Sequence, residues 1–166
     1  MSLRTATSDD IPAVRSLFLE YAESLGFSLC FQSFDLEIAE LPGKYAPPAG
    51  SLLIGLVDGA IAGCVALRPL SAEVCEMKRL YVRPAFRRSG LGRELAVAII
   101  AQARELGYRS IRLDTVPDRM ASAVHLYKSL GFEEIPAYYD NPIPGALYLE
   151  LRLDRALRPT GSPAII

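Results

Sequence analysis

Cysteine is scarce in this chain, and what little there is excludes two architectures. The three cysteines, Cys30, Cys64 and Cys75, are odd in number and form no C-x-x-C pair. Neither a disulfide framework nor a zinc site follows from such a set. Each has apolar neighbours, so all three are expected to be buried free thiols of a reducing compartment. Charge of one sign is also lacking: the formal net charge is −1 and the pI about 5.9. A general nucleic-acid binder usually carries a basic footprint, so no nucleic-acid partner is expected. Long hydrophobic runs are missing too. Nothing approaches the ~20 apolar residues of a membrane span, and no basic start leads into an apolar stretch as in a signal peptide. A cytoplasmic protein with no membrane partner is the expectation.

What is present is an ordinary globular composition over 166 residues, 51% hydrophobic and 22% charged, enough for one domain with a real core. No internal repeat or linker divides it. Residues 1–154 are read as one domain and 155–166, with Pro159, Gly161 and Pro163, as a loose tail. A homodimer through an edge strand or that tail is the assembly the sequence allows.

Hydrophobic spacing and breaker residues give the element order. A strand over 3–7 leads to Ser8, Asp9 and Asp10, which offer capping oxygens for a helix running to Gly26. Ser33 opens a short helix over 34–41. Strands follow over 52–57, 61–67 and 74–82, the first two joined by the hairpin signal Asp58-Gly59. A helix over 91–106 has the apolar stripe Leu91, Leu95, Ala98, Ile99, Ala103 and Leu106. Then come a strand over 109–116, a helix over 119–130, a short strand from Phe132, a loop over 136–145 and a strand over 146–153. The fold class expected is mixed α/β: a mostly antiparallel twisted sheet of about seven strands flanked by about four helices.

The strand over 74–82 has a defect. Cys75 and Met77 are apolar in one phase, Leu80 and Val82 in the other. A period of two cannot turn all four inward. One extra residue repairs the pattern, so a β-bulge is predicted near Lys78-Arg79, splaying the sheet and bringing Glu76 and Tyr81 to one face.

After this strand the chain concentrates its positive charge. Lys78, Arg79, Arg83, Arg87, Arg88 and Arg93 fall within 16 residues, and a strand-to-helix turn with Gly90 and Gly92 sits among the last three. Such a turn leaves the first helical N–H groups unpaired, and they favour an anion. Glycines let a phosphate approach, and guanidinium groups can grip its oxygens. The spacing is not a Rossmann fingerprint, because Leu95 stands where the third glycine belongs. It is not a Walker A loop, because Arg93-Glu94 follows Gly92.

The arrangement resembles the GCN5-related N-acetyltransferase (GNAT) family. Arg87-Arg88-Ser89-Gly90-Leu91-Gly92, after the strand CEMKRLYV, matches that family's R/Q-x-x-G-x-G/A turn. A second landmark, A-x-x-x-Y-x-x-x-G-F, is matched by Ala123, Tyr127, Gly131 and Phe132. The resemblance implies that acetyl-CoA is the cofactor. The backbone of Leu80, Tyr81 and Val82 would pair with its pantetheine arm, the segment Arg87, Arg88, Ser89, Gly90, Leu91, Gly92 and Arg93 would hold the pyrophosphate, and Tyr127 would sit near the sulfur. Met120 stands where many members carry Asn, which puts one polar contact to that arm in doubt.

The chemistry then needs few groups. A primary amine near pKa ~10 must lose a proton to attack a thioester. Glu76 is the candidate base, directly or through water, with a plain ion pair to Lys78 or Arg79 as the competing reading. A freed backbone N–H near Leu80 is placed to stabilise charge developing on the carbonyl oxygen. Tyr127 is the candidate acid for the departing thiolate. His125, two residues away, points elsewhere on the helix and is read as a surface residue. Asp114 could bind a cationic amine or serve a turn. Tyr138, Tyr139, Asp140 and Asn141 form a loop that either grips a small ammonium-bearing substrate or only makes turns. The resulting expectation is direct transfer to a small-molecule amine in a ternary complex. Acetylation of a protein N-terminus or lysine, and a non-catalytic acyl-CoA sensor, are the alternatives.

Overall fold

The hairpin signal is where the observed sheet is easiest to trace. In the computed structural model, which describes residues 1–153, Asp58 and Gly59 have φ of 49° and 79°, the left-handed pair that a two-residue reversal needs. They join β2 (Ser51–Val57) to β3 (Ala60–Pro69). The remaining strands are β1 (Ser2–Thr5), β4 (Val74–Val82), β5 (Ser110–Thr115), β6 (Glu133–Ile135) and β7 (Leu147–Arg152), and the helices are α1 (Ile11–Leu25), α2 (Phe34–Glu40), α3 (Leu91–Glu105) and α4 (Pro117–Ser129). The expected tail over 155–166 lies outside the described residues.

The seven strands form one sheet in the order β1-β2-β3-β4-β5-β7-β6. Among the described residues only the β4–β5 pair is parallel. One face is covered by α1 and α2, with Val14, Leu17, Phe18 and Phe34 packed on Ile54, Cys64, Ala66 and Tyr81. The other is covered by α3 and α4, with Leu91, Leu95, Ile99 and Tyr127 packed near Val65, Leu67, Cys75 and Met77.

The predicted bulge is present. Ala66 pairs with Lys78 and Cys64 with Tyr81, so Val65 faces two residues, Arg79 and Leu80. Arg79 takes φ 59°. Cys75 and Met77 before it, and Leu80 and Val82 after it, all pack in the α3 core. Glu76, Lys78 and Tyr81 share the opposite face, since their β3 partners Arg68, Ala66 and Cys64 alternate along that strand.

Four local expectations are corrected. Cys30 is exposed, not buried, because it begins a short turn beyond α1 and not a core element. Leu106 is 39% exposed; α3 ends one residue earlier, and its buried stripe includes Ala96 and Ile100. Ser33 precedes α2 but makes no capping hydrogen bond, because its φ of 54° is left-handed and not extended. Finally, α4 begins at Pro117, two residues before the expected Arg119, and kinks at Met120 (φ −137°).

Candidate active site

The bulge and the parallel pair together open the sheet. β5 stays beside β4 only from Val74 to Glu76. From Met77 to Val82 the β4 edge on that side has no strand partner among the described residues. Two cavities occupy the wedge, and Tyr21, Leu80, Met120 and Ala123 border both.

The larger is a groove of about 370 Å³ along Leu80, Tyr81 and Val82, with Arg87 and Gly92 at its far end. There the chain turns into α3 through Arg88 (φ 66°) and Gly90 (φ 86°). No atom lies within 4 Å of where a Cβ on Gly90 would stand, so the concavity is open. No backbone acceptor meets the N–H groups of Gly92 and Arg93 among the described residues. Ser89 turns its hydroxyl inward to the Phe86 carbonyl at 2.6 Å. Arg87 donates to the Val82 carbonyl at 3.1 Å and lies over the Tyr81 ring, while Arg93 reaches Ser129 on α4. Arg88 is exposed. The cationic run thus divides: Arg83 is held by Glu20 at 2.9 Å, Lys78 and Arg79 are buried, and the last three reach the turn. An open concavity with free N–H groups and guanidinium groups around it fits a pyrophosphate, and the groove fits an extended arm. Met120 offers no donor to that arm.

The smaller cavity, about 50 Å³, is a polar chamber on the α1 side of the bulge. Lys78, Asp114, Gln32, Asn141 and the Tyr127 ring line it. Tyr127 packs against Phe132 at 5.7 Å between centroids. Its hydroxyl makes no hydrogen bond among the described residues, and burial raises its pKa, which keeps the proton in place. Glu76 is 0% exposed and borders neither cavity. One oxygen takes Arg68 at 2.9 Å and faces Lys78 at 3.7 Å; the other accepts from Tyr138 at 2.6 Å. Burial alone would raise its pKa, but Lys78, Arg68 and the Tyr138 hydroxyl together hold it below the usual value.

Beside it, Asp114 accepts from the Tyr139 hydroxyl and from Asn141 Nδ2 on the same oxygen, Oδ2. Both loop tyrosines are therefore turned inward as donors to carboxylates, and burial raises the pKa of each. Asp140 is exposed and outside the chamber lining, and its neighbour Asn141 stands there instead. His125 is exposed on α4. Arg79, the bulge residue, makes a two-pronged pair with Glu37 at 2.9 and 3.0 Å and donates to Gln32 Oε1.

Sequence reasoning missed Tyr21, Gln32 and Lys78 as lining residues, and read Asn141 only as one member of the tyrosine loop. Tyr21 was hidden in a regular helical stripe and Lys78 in a charge run. Gln32 and Asn141 come from turns whose aim no periodicity encodes. The inference that Glu76 and Tyr81 share a face also implied that Lys78 shares it, and that was the available signal.

With this geometry in view, similarity to known proteins is specific. The model of the acetyltransferase (GNAT) family matches residues 12–132. An uncharacterized N-acetyltransferase of Schizosaccharomyces pombe is 43% identical over 148 residues, covering 88% of this chain and 90% of that protein. A structure from Salmonella typhimurium determined with its cofactor acetyl-CoA is 20% identical, with a TM-score of 0.66, over 98% of this chain and 99% of that one. A spermidine N-acetyltransferase from Vibrio cholerae, in complex with CoA and spermine, is 21% identical with a TM-score of 0.69, over 92% and 95% of the two chains. At these identities the two solved structures speak for the fold. No helix among the described residues is long and apolar enough to cross a membrane.

Proposed function

The chain belongs to the acetyltransferase (GNAT) family and is an acyltransferase, and from that premise we propose that it moves an acetyl group from acetyl-CoA to the primary amine of a small molecule. One observation carries the reading: a strand edge with no strand partner, a turn of N–H groups with no backbone acceptor and the Tyr127 hydroxyl with no hydrogen bond, each among the described residues, border one wedge. When bound, acetyl-CoA supplies the activated acetyl group.

The chain's residues do the rest. Leu80, Tyr81 and Val82 offer backbone groups to the pantetheine arm. The turn from Arg87 to Arg93 receives the pyrophosphate, with Gly90 keeping its surface bare. The Tyr127 hydroxyl, kept protonated by burial, gives its proton to the departing thiolate. Asp114 lines the acceptor side and orients the amine, held in place by the Tyr139 hydroxyl. Glu76 touches neither cavity, so a proton reaches it through the Tyr138 hydroxyl that it holds, and its base role is a relayed one. The small volume of the chamber, about 50 Å³, favours a small acceptor over a protein lysine, which needs an open groove.

The test is isothermal titration with acetyl-CoA, followed by acetyl-CoA-dependent thiol release against amino acids, polyamines, aminoglycosides and short peptides. Tight binding with thiol release on a small amine is expected. Release only with peptides would overturn the small-molecule assignment, and absence of acetyl-CoA binding would overturn the whole reading.

A further inference from the structure

Resting on that reading, we infer that the acceptor is an α-amino acid, its ammonium facing Asp114 and its carboxylate facing Lys78. The Lys78 side chain is only 5% exposed, yet it lines the chamber. Its ammonium has three donors. One goes to Gln32 Oε1 at 3.0 Å. The nearest carboxylate oxygens, Glu76 Oε1 at 3.7 Å and Asp114 Oδ1 at 3.9 Å, balance the charge but are too distant to accept a good hydrogen bond. Two donors of a buried cation therefore have no close acceptor among the described residues, a costly state that a ligand oxygen relieves.

Asp114 is complementary. Both of its hydrogen bonds fall on Oδ2, and Oδ1 makes none among the described residues. The chamber wall thus offers one open cationic donor and one open anionic acceptor 3.9 Å apart. In an α-amino acid the nitrogen and a carboxylate oxygen are about 3 Å apart by standard bond lengths. Seated with nitrogen on Asp114 Oδ1 and oxygen on Lys78 Nζ, it closes a ring of four charges of alternating sign.

Other acceptors fit less well. A polyamine brings a second cation against Lys78. A simple amine leaves the Lys78 donors unfilled, and a peptide N-terminus has no carboxylate beside its nitrogen. The surrounding groups agree: Arg68, Lys78 and Arg79 face Glu37, Glu76 and Asp114, so the cluster is already neutral and a zwitterion leaves it so. A chamber of about 50 Å³ suits the charged head of such a molecule.

The experiment pairs each of the twenty amino acids with the amine that lacks its carboxylate and compares kcat/KM in thiol release. At least one amino acid should exceed its matched amine by about 100-fold, as expected where buried polar groups lose their partner. Lys78→Met should reduce that ratio to about threefold or less with acetyl-CoA affinity unchanged, and Lys78→Arg should restore part of it. Matched amines equal to or better than every amino acid would overturn the inference, as would a Lys78→Met enzyme that keeps the preference. If Lys78→Met does not fold, the matched series on the unaltered protein decides. Calorimetric titration of amino acids without acetyl-CoA separates the two failures: binding that requires the carboxylate upholds the acceptor assignment even where acetyl-CoA itself does not bind.

Discussion

The groove and the chamber follow one another along the open edge of one bulged strand and are built in opposite ways. The groove is made mainly of backbone: the edge at Leu80–Val82, where Arg87 meets the Val82 carbonyl, and N–H groups at the start of α3 that have no backbone acceptor among the described residues. The chamber is made of side chains: Lys78, Asp114 and Gln32 line it, Glu76, Tyr138 and Tyr139 hold them from behind, and the facing sides of Lys78 and Asp114 are left open. A backbone site recognises whatever has the right shape and charge, and its demands on sequence are negative: no Cβ here, no strand there. A side-chain site is specific, and each member depends on its neighbours.

Substitutions can break this contrast. Gly90→Val should have the largest effect. It forces a β-branched residue to φ 86° and puts its side chain where the pyrophosphate is assigned, so acetyl-CoA binding in calorimetry should fall below detection. Retained affinity would mean the phosphates lie elsewhere. Tyr127→Phe should lower kcat by about 10²–10⁴-fold, the usual worth of a positioned acid, with acetyl-CoA affinity unchanged; normal turnover would remove the acid role.

Glu76→Gln tests the chamber through stability. It leaves Arg68 and Lys78 short of a buried counter-charge, a loss of about 3–5 kcal/mol by analogy with broken buried pairs, read from urea unfolding at neutral pH. The pH dependence has a definite sign. The folded-state pKa of Glu76 lies below its ordinary value of 4.5, so its contribution is complete above that value and drains away as pH falls through the lower, folded one. The Glu76→Gln variant should therefore lose less stability than the parent on acidification. An equal loss in both would place the acid-sensitive group elsewhere. Arg88→Ala should be the mildest, weakening acetyl-CoA binding by severalfold and reducing its salt dependence, since an exposed charge is largely screened.

The same contrast explains what the sequence disclosed. The bulge was legible because four apolar residues broke a period of two, and burial on one face admits a single repair. The turn was legible because Arg87 to Gly92 carry their chemistry in order along the chain. The chamber was not. Lys78 and Asp114 are 36 positions apart, and Gln32 and Asn141 meet them from turns far apart along the chain. Their meeting depends on the splay angle and on loop paths that no local pattern records. Asp140 and Asn141 show the limit: adjacent in sequence, they face opposite ways, and only the folded loop distinguishes them.

The left-handed residue at Arg79 has one more consequence, for how such a protein can change. Before it, β4 contributes side chains to the chamber; after it, the strand lends mainly its main chain to the groove. Replacing residue 78 alters the part that meets the acceptor while the part assigned to the carrier is untouched, because a peptide bond has the same shape whatever hangs from it. The strand is thus two independent instruments in series, and one residue's insertion is the joint that uncouples them.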